Sequence, residues 1–237
     1  MAPEFDCSRE VVLPAGPQAV WEAVATSAGN AAWLFPNEIA PDGSGATAWD
    51  PPHHFAVRTE QGDWFNALDF VIEARDDGTS LLRYAHRGVF FENWDVQNDG
   101  LQQHTDFYLH TLGQYLEHFN GRTATYVGDA PGGIQGPPAS ARPDAFRRLQ
   151  RALGLAEEAR AGDIVRIDPE GVDALEGVID YLQPNFMGIR TADALYRFFG
   201  RNAFGAPVGM TIHVFTAGAD AEQIKRDWQA WLDAALA

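Results

Sequence analysis

One cysteine and one lysine among 237 residues set the first limits on this chain. Cys7 alone permits no intrachain disulfide, which fits a reducing compartment. Lys225 is the sole lysine and the other basic residues are arginine, a bias expected of a GC-rich bacterial genome. No apolar run approaches the roughly 20 residues that a bilayer-spanning helix needs. The opening residues Met1-Ala2-Pro3-Glu4-Phe5-Asp6 lack the basic-then-apolar order of a secretory leader. A cytoplasmic location is therefore expected. Positive charge is scarce: 17 basic residues face 33 acidic ones, a formal net charge of −16. Such a field repels phosphate backbones and anionic lipid, so neither nucleic acid nor a membrane surface is an expected partner. A phosphate-cradling loop is missing too. Gly132, Gly133 and Gly136 lie in a Pro-rich stretch rather than between a strand and a helix, which excludes a nucleotide reading.

What the chain does have is apolar material, 46% of its residues, enough for a substantial core. Residues 5–13 alternate as a strand, with Phe5, Cys7, Val11 and Leu13 on one side. Pro17 suits the first turn of a helix that runs to about Ala28 through Val20, Trp21 and Val24. The period then switches to two. Residues 46–49, 54–59, 66–75 and 80–87 read as strands, separated by Asp50-Pro51-Pro52, Gly62-Asp63 and Asp77-Gly78. Links this short do not make parallel crossovers, so the sheet is expected to be antiparallel. After a polar loop from Glu92 to Gly100, an amphipathic helix is predicted from about Leu101 to Phe119. Its apolar stripe makes it the cover for the sheet.

Residues 127–142 are rich in Gly, Pro and Ala and read as a linker. Beyond them a helix is predicted over 143–153, then strands over 163–167, 178–182, 187–191, 194–199 and 210–215. Residues 202–207 read as a mobile loop. Asp220 is placed to cap a last helix carrying Ile224, Trp228, Trp231 and Leu232. The halves resemble each other. Ala46–Thr59 aligns without gaps to Val178–Thr191, with Pro52/Pro184, Arg58/Arg190 and Thr59/Thr191 identical, and His86 and His213 both fall late in the last strand of their half. The expected organisation is a domain over 1–126, the linker 127–142, and a second, partial copy over 143–237 with Ala124–Val127 as its candidate first strand.

Several motifs carry a family resemblance. Arg9-Glu10-Val11-Val12-Leu13-Pro14, followed by Val20-Trp21-Glu22-Ala23-Val24, resembles the opening of the SRPBCC (START-like) superfamily, and within it the branch related to the activator of Hsp90 ATPase. Trp33, Trp49-Asp50-Pro51-Pro52, Leu82 to Val89, and Thr111 to Leu116 are similar to that branch's later signposts. The resemblance covers residues 5–120 well and the second half faintly. It implies an α+β helix-grip fold: a curved antiparallel sheet wrapped on a long C-terminal helix, here as a tandem pseudo-repeat with a degenerate second copy. The segment between Trp33 and Trp49 is short for the family, so a hairpin before Ala46 is expected to be abbreviated.

Side-chain parity selects candidate site residues. Leu82, Tyr84 and His86 share one face of their strand, Phe55 and Val57 another, and Leu68, Phe70 and Ile72 a third. If those faces meet the helix stripe, Trp49, Phe55, Val57, Phe70, Tyr84, His86, Tyr108 and Leu112 line an apolar chamber with Tyr84 and His86 as its polar fixtures. The alternative is that these residues are plain core. His53-His54 point apart in extended backbone, and His104, His110 and His118 lack the i, i+4 spacing of a helical zinc pair, so no metal and no cofactor are expected. Asp106 and His110 are i, i+4 and read as a surface pair or an acid/base dyad. No catalytic constellation is assigned. The expected function is binding of a small apolar molecule for sensing, carriage or storage. A cyclase- or aromatase-type enzyme with Tyr84 and His86 as proton relay, and a chaperone-regulating interaction protein, stay open, as does a homodimer.

Overall fold

The computed structural model describes residues 3–90 and 93–237, and the chain divides into two compact units between Thr123 and Ala124. Met1 and Ala2 of the expected acidic opening, and Glu92 at the start of the expected polar loop, lie outside the described residues.

In the first unit β1 (Glu4–Leu13) buries Phe5, Cys7 and Leu13 and exposes Asp6, Ser8 and Glu10, as a strand with one wet face must. Pro17 opens α1 (Pro17–Ala25), and α2 (Ser27–Ala31) is capped by the Thr26 hydroxyl, which accepts the Gly29 N–H at 3.0 Å. Residues 32–45 carry no strand, so the hairpin before Ala46 is absent altogether. There follow β2 (Ala46–Asp50), β3 (His54–Gln61), β4 (Trp64–Ala74), β5 (Ser80–Val89) and α3 (Trp94–His118). The five strands run antiparallel in the order β1-β5-β4-β3-β2, so the first strand returns beside the last. The helix α3 starts seven residues before the predicted Leu101. Its first turns, Asp95 to Asp99, are largely solvent-exposed and have no apolar stripe for sequence periodicity to detect.

The second unit contains β6 (Thr125–Val127), β7 (Ile134–Gln135), α4 (Ala145–Ala152), β8 (Ile164–Ile167), β9 (Leu175–Gln183), β10 (Phe186–Arg190), β11 (Ala194–Phe199), β12 (Gly209–Val214) and α5 (Ala221–Leu236). Its seven-stranded sheet has the order β6-β12-β11-β10-β9-β8, with β7 also on β12. Again the first strand lies beside the last, and a long helix follows. The hairpins β2–β3 and β9–β10, matched by the gapless alignment, hold the same place in both orders. The residues read as a linker are structured: β7 pairs with β12, Pro138–Ala141 form a 3-10 turn, and Val127, Ile134 and Ser140 are fully buried. Small residues there serve close packing rather than freedom. The loop read as mobile is a 3-10 turn at Arg201–Phe204, where Asn202 Nδ2 donates to the carbonyls of Arg142 and Pro143 at 3.1 Å.

Both units are α+β helix grips, but they are filled differently. In the second, Trp228, Trp231, Leu232 and Leu236 of α5 pack on Met187, Ile189, Phe198, Met210 and Ile212 in one continuous core. His213 alternates with Met210, Ile212 and Val214 and so faces away from that core. His86 faces inward, toward α3. The two histidines expected to correspond therefore sit on opposite sheet faces. The face of His213 also carries Arg197, whose guanidinium binds Asp180 through two contacts of 2.5 and 2.9 Å with both side chains nearly inaccessible. Gly188 lies beneath this ion pair. A Cβ there would overlap both Arg197 Nη1 and Asp180 Oδ1, which is why the strand carries glycine at this point.

Candidate functional site

Three strand ends of the first sheet converge near the start of α3: the beginnings of β1 and β4 and the end of β5. There, Phe5, Trp64, Phe65, Asn66, His86, Val89, Phe90, Gln97 and Leu101 enclose an open cavity of about 460 Å³. Parity puts Phe5, Trp64, Asn66 and His86 on the inner face, while α3 contributes Gln97 and Leu101 from its first two turns. Gly88 makes the arrangement sterically feasible. A Cβ on it would come within 2.7 Å of the Phe5 ring and 2.8 Å of the Phe65 carbonyl oxygen. Phe5 therefore lies across the Gly88 backbone, stacks on Phe90 with centroids 4.4 Å apart, and meets His86 edge-on at 5.1 Å.

The polar fixture of this cavity is a pair. His86 Nε2 lies 2.6 Å from Asn66 Oδ1, and with the amide oriented so, the imidazole donates and the amide oxygen accepts. Burial pulls the His86 imidazole down to about 4, so it is neutral at physiological pH. Among the described residues no other hydrogen bond is made by His86 Nδ1 or by the Asn66 amide nitrogen.

The eight residues picked from the sequence are distributed along the grip rather than around one chamber. Trp49, Phe55, Phe70, Tyr84 and His86 form a ladder of rings that Trp21 closes at one end, each neighbour 5.0–6.5 Å from the next. Phe55, Phe70 and Leu112 are almost fully buried and Val57 half-buried; these positions fill the deep part of the grip. Only His86 of the eight lines the cavity. Tyr108 sits on α3 beside His104, with ring centroids 6.0 Å apart. Tyr84 is held among Cys7, Arg9 and α3. Burial pushes its phenol well above the ordinary value, the Cys7 thiol adds to this, and the Thr105 hydroxyl opposes it. A proton relay through Tyr84 and His86 needs a hydrogen bond between them, and His86 instead uses Asn66. Asp106 does not form the dyad with His110; it takes the Arg9 guanidinium at 2.6 and 3.3 Å.

Sequence parity does not select the other eight lining residues, Phe5, Trp64, Phe65, Asn66, Val89, Phe90, Gln97 and Leu101. For Asn66 the signal existed: it shares parity with Leu68 and Phe70, a polar side chain on an otherwise apolar inner row. Gln97 carries no such signal, because its stretch of the helix, Asp95 to Asp99, has no apolar stripe against which a polar residue would stand out.

No protein-family model and no curated protein matches the chain. Solved structures do show likeness. The Aha1 dimer from Colwellia psychrerythraea is 17% identical with a TM-score of 0.39, over 48% of this chain and 96% of that one. The di-domain ARO/CYC BexL from the BE-7585A biosynthetic pathway is 12% identical with a TM-score of 0.42, over 96% of this chain and 93% of its own. DynU16, from the dynemicin biosynthetic locus, is 12% identical with a TM-score of 0.38, over 99% of this chain and 96% of its own. Likeness of this degree carries no functional argument. The helix-grip fold of the chain rests on its own order of strands and helices.

Proposed function

We propose that the first unit binds a small apolar molecule between the open end of its sheet and the first turns of α3. The observation that carries this reading is the cavity itself. Its volume of about 460 Å³ falls within the range of about 300–1,000 Å³ typical of small-molecule sites, and its walls are rings and aliphatics around the Asn66–His86 pair and the Gln97 amide. Phe55, Phe70 and Leu112 are buried in the deep part of the grip, which favours a guest at the mouth. The same reading takes the protein to act in the cytoplasm, as a binder in sensing, carriage or storage, with a homodimer as an open assembly state. A chaperone-docking surface finds less support. The large hydrophobics that stand exposed among the described residues are Val12, Val96 and Ile164, on three different elements.

The test is a titration with Nile red, an uncharged apolar fluorophore, followed by its emission. Saturable binding at one dye per chain is expected, and Leu101→Trp, which fills the cavity from α3, should abolish it without lowering the urea midpoint. Absence of saturable binding, or equal binding by the variant, would overturn the reading.

A further inference from the structure

Resting on that binding reading, we infer that the cavity selects an uncharged, ring-bearing ligand with a hydrogen-bonding group and rejects the carboxylate of the same shape. Its described walls hold no cationic side chain: the polar groups are the Asn66 and Gln97 amides and the His86 imidazole. The nearest guanidinium by chain position, Arg87, alternates with His86, so it takes the other face of β5, where it donates to the Asp6 carboxylate at 2.8 Å; Arg58 lies over the Phe65 ring at 3.9 Å and is engaged by the Glu60 carboxylate. A bound carboxylate would thus surrender its hydration without meeting a counter-charge, the most costly form of polar burial.

Two features could have favoured an anion, and both are neutralised. The N-terminus of α3 brings a partial positive charge near the site, but Asp95 in its first turn already answers it. His86 would supply a full charge only when protonated. Its Nε2 is engaged on Asn66 Oδ1, and burial keeps the ring neutral. Around the mouth the field is negative. Asp95 and Asp99 flank Gln97 on exposed turns, and the chain as a whole carries −16. What the site offers a guest is an amide N–H donor on Asn66 and an imidazole nitrogen lone pair on His86, between rings that stack on a flat molecule. A hydroxyl or a neutral carbonyl attached to an aromatic system satisfies these groups.

Three probes of one shape separate the possibilities: 2-naphthol, 2-naphthamide and 2-naphthoate, titrated calorimetrically near neutral pH against the full chain. The alcohol and the amide should each bind at least tenfold more tightly than the carboxylate. Gln97→Arg should narrow that ratio to below about threefold by supplying the missing cation. Equal or tighter binding of 2-naphthoate by the unaltered protein, blocked by Leu101→Trp, would overturn the charge selection and leave the binding reading intact. Failure of all three probes, or binding unchanged in Leu101→Trp, would overturn both.

Discussion

His86 and Asn66 reach each other diagonally across the β4–β5 pair: Asn66 is in register with Gly88, His86 with Leu68, and their side chains close to 2.6 Å. One polar contact thus joins two strands at the wall of the cavity, beside the rings of Phe5, Trp64 and Phe90.

His86 makes stability pH-dependent on the acid side of neutrality. Its folded value of about 4 lies below the ordinary histidine value, so the unfolded chain binds more protons between the two. The contribution is complete above roughly pH 6.5 and is lost as pH falls toward 4, up to a few kcal/mol. Urea unfolding at pH 7 and pH 5 should show a larger loss in the wild type than in His86→Gln. Parallel losses in the two proteins would remove histidine burial as the cause.

Gly88→Ala tests the floor of the cavity. The added methyl meets the Phe5 ring and the Phe65 carbonyl, and Phe5 must leave its stack on Phe90. A cost of about 1–3 kcal/mol is expected from overpacking, together with loss of Nile red binding. Wild-type affinity in a destabilised variant would show that Phe5 is no part of the site.

The ring ladder is a packing device. Phe70→Ala should cost about 3–5 kcal/mol, since the ring is nearly inaccessible and stacks on Phe55. With the protein held well below its unfolding transition, ligand affinity should change less than threefold. A larger change with little loss of stability would return Phe70 to the binding site, where sequence parity had placed it.

In the second unit, Arg197→Met strips a buried carboxylate of its bidentate partner and should cost about 3–5 kcal/mol. Adding Asp180→Leu should recover most of that, because the penalty is the stranded charge. Thermal unfolding of the two variants and the wild type checks this, and a double variant no better than the single one would contradict it.

Reading these elements from sequence succeeded where one local rule decided. Period-two alternation located β3, β5 and β10, Pro17 located the start of α1, and Asp220 located the cap of α5, whose carboxylate accepts the Gln223 N–H at 3.0 Å. It fell short where distant partners decided. Glycine and proline between 127 and 142 signalled freedom by composition, yet β12 supplies the backbone partners that order Ile134 and Gln135. Asp106 had a local partner at His110 and took Arg9, 97 positions away, because β1 passes beside α3.

The sequence by itself determined that this chain makes antiparallel sheets covered by long helices, twice over, because side-chain period and turn chemistry are properties of short stretches. Which inward-facing rings touch one another and which leave a gap was decided only by tertiary structure. Parity tells the face a side chain takes; whether that face is filled depends on strand ends, helix turns and a glycine brought together from positions 5, 66, 88 and 97. No local rule couples those positions.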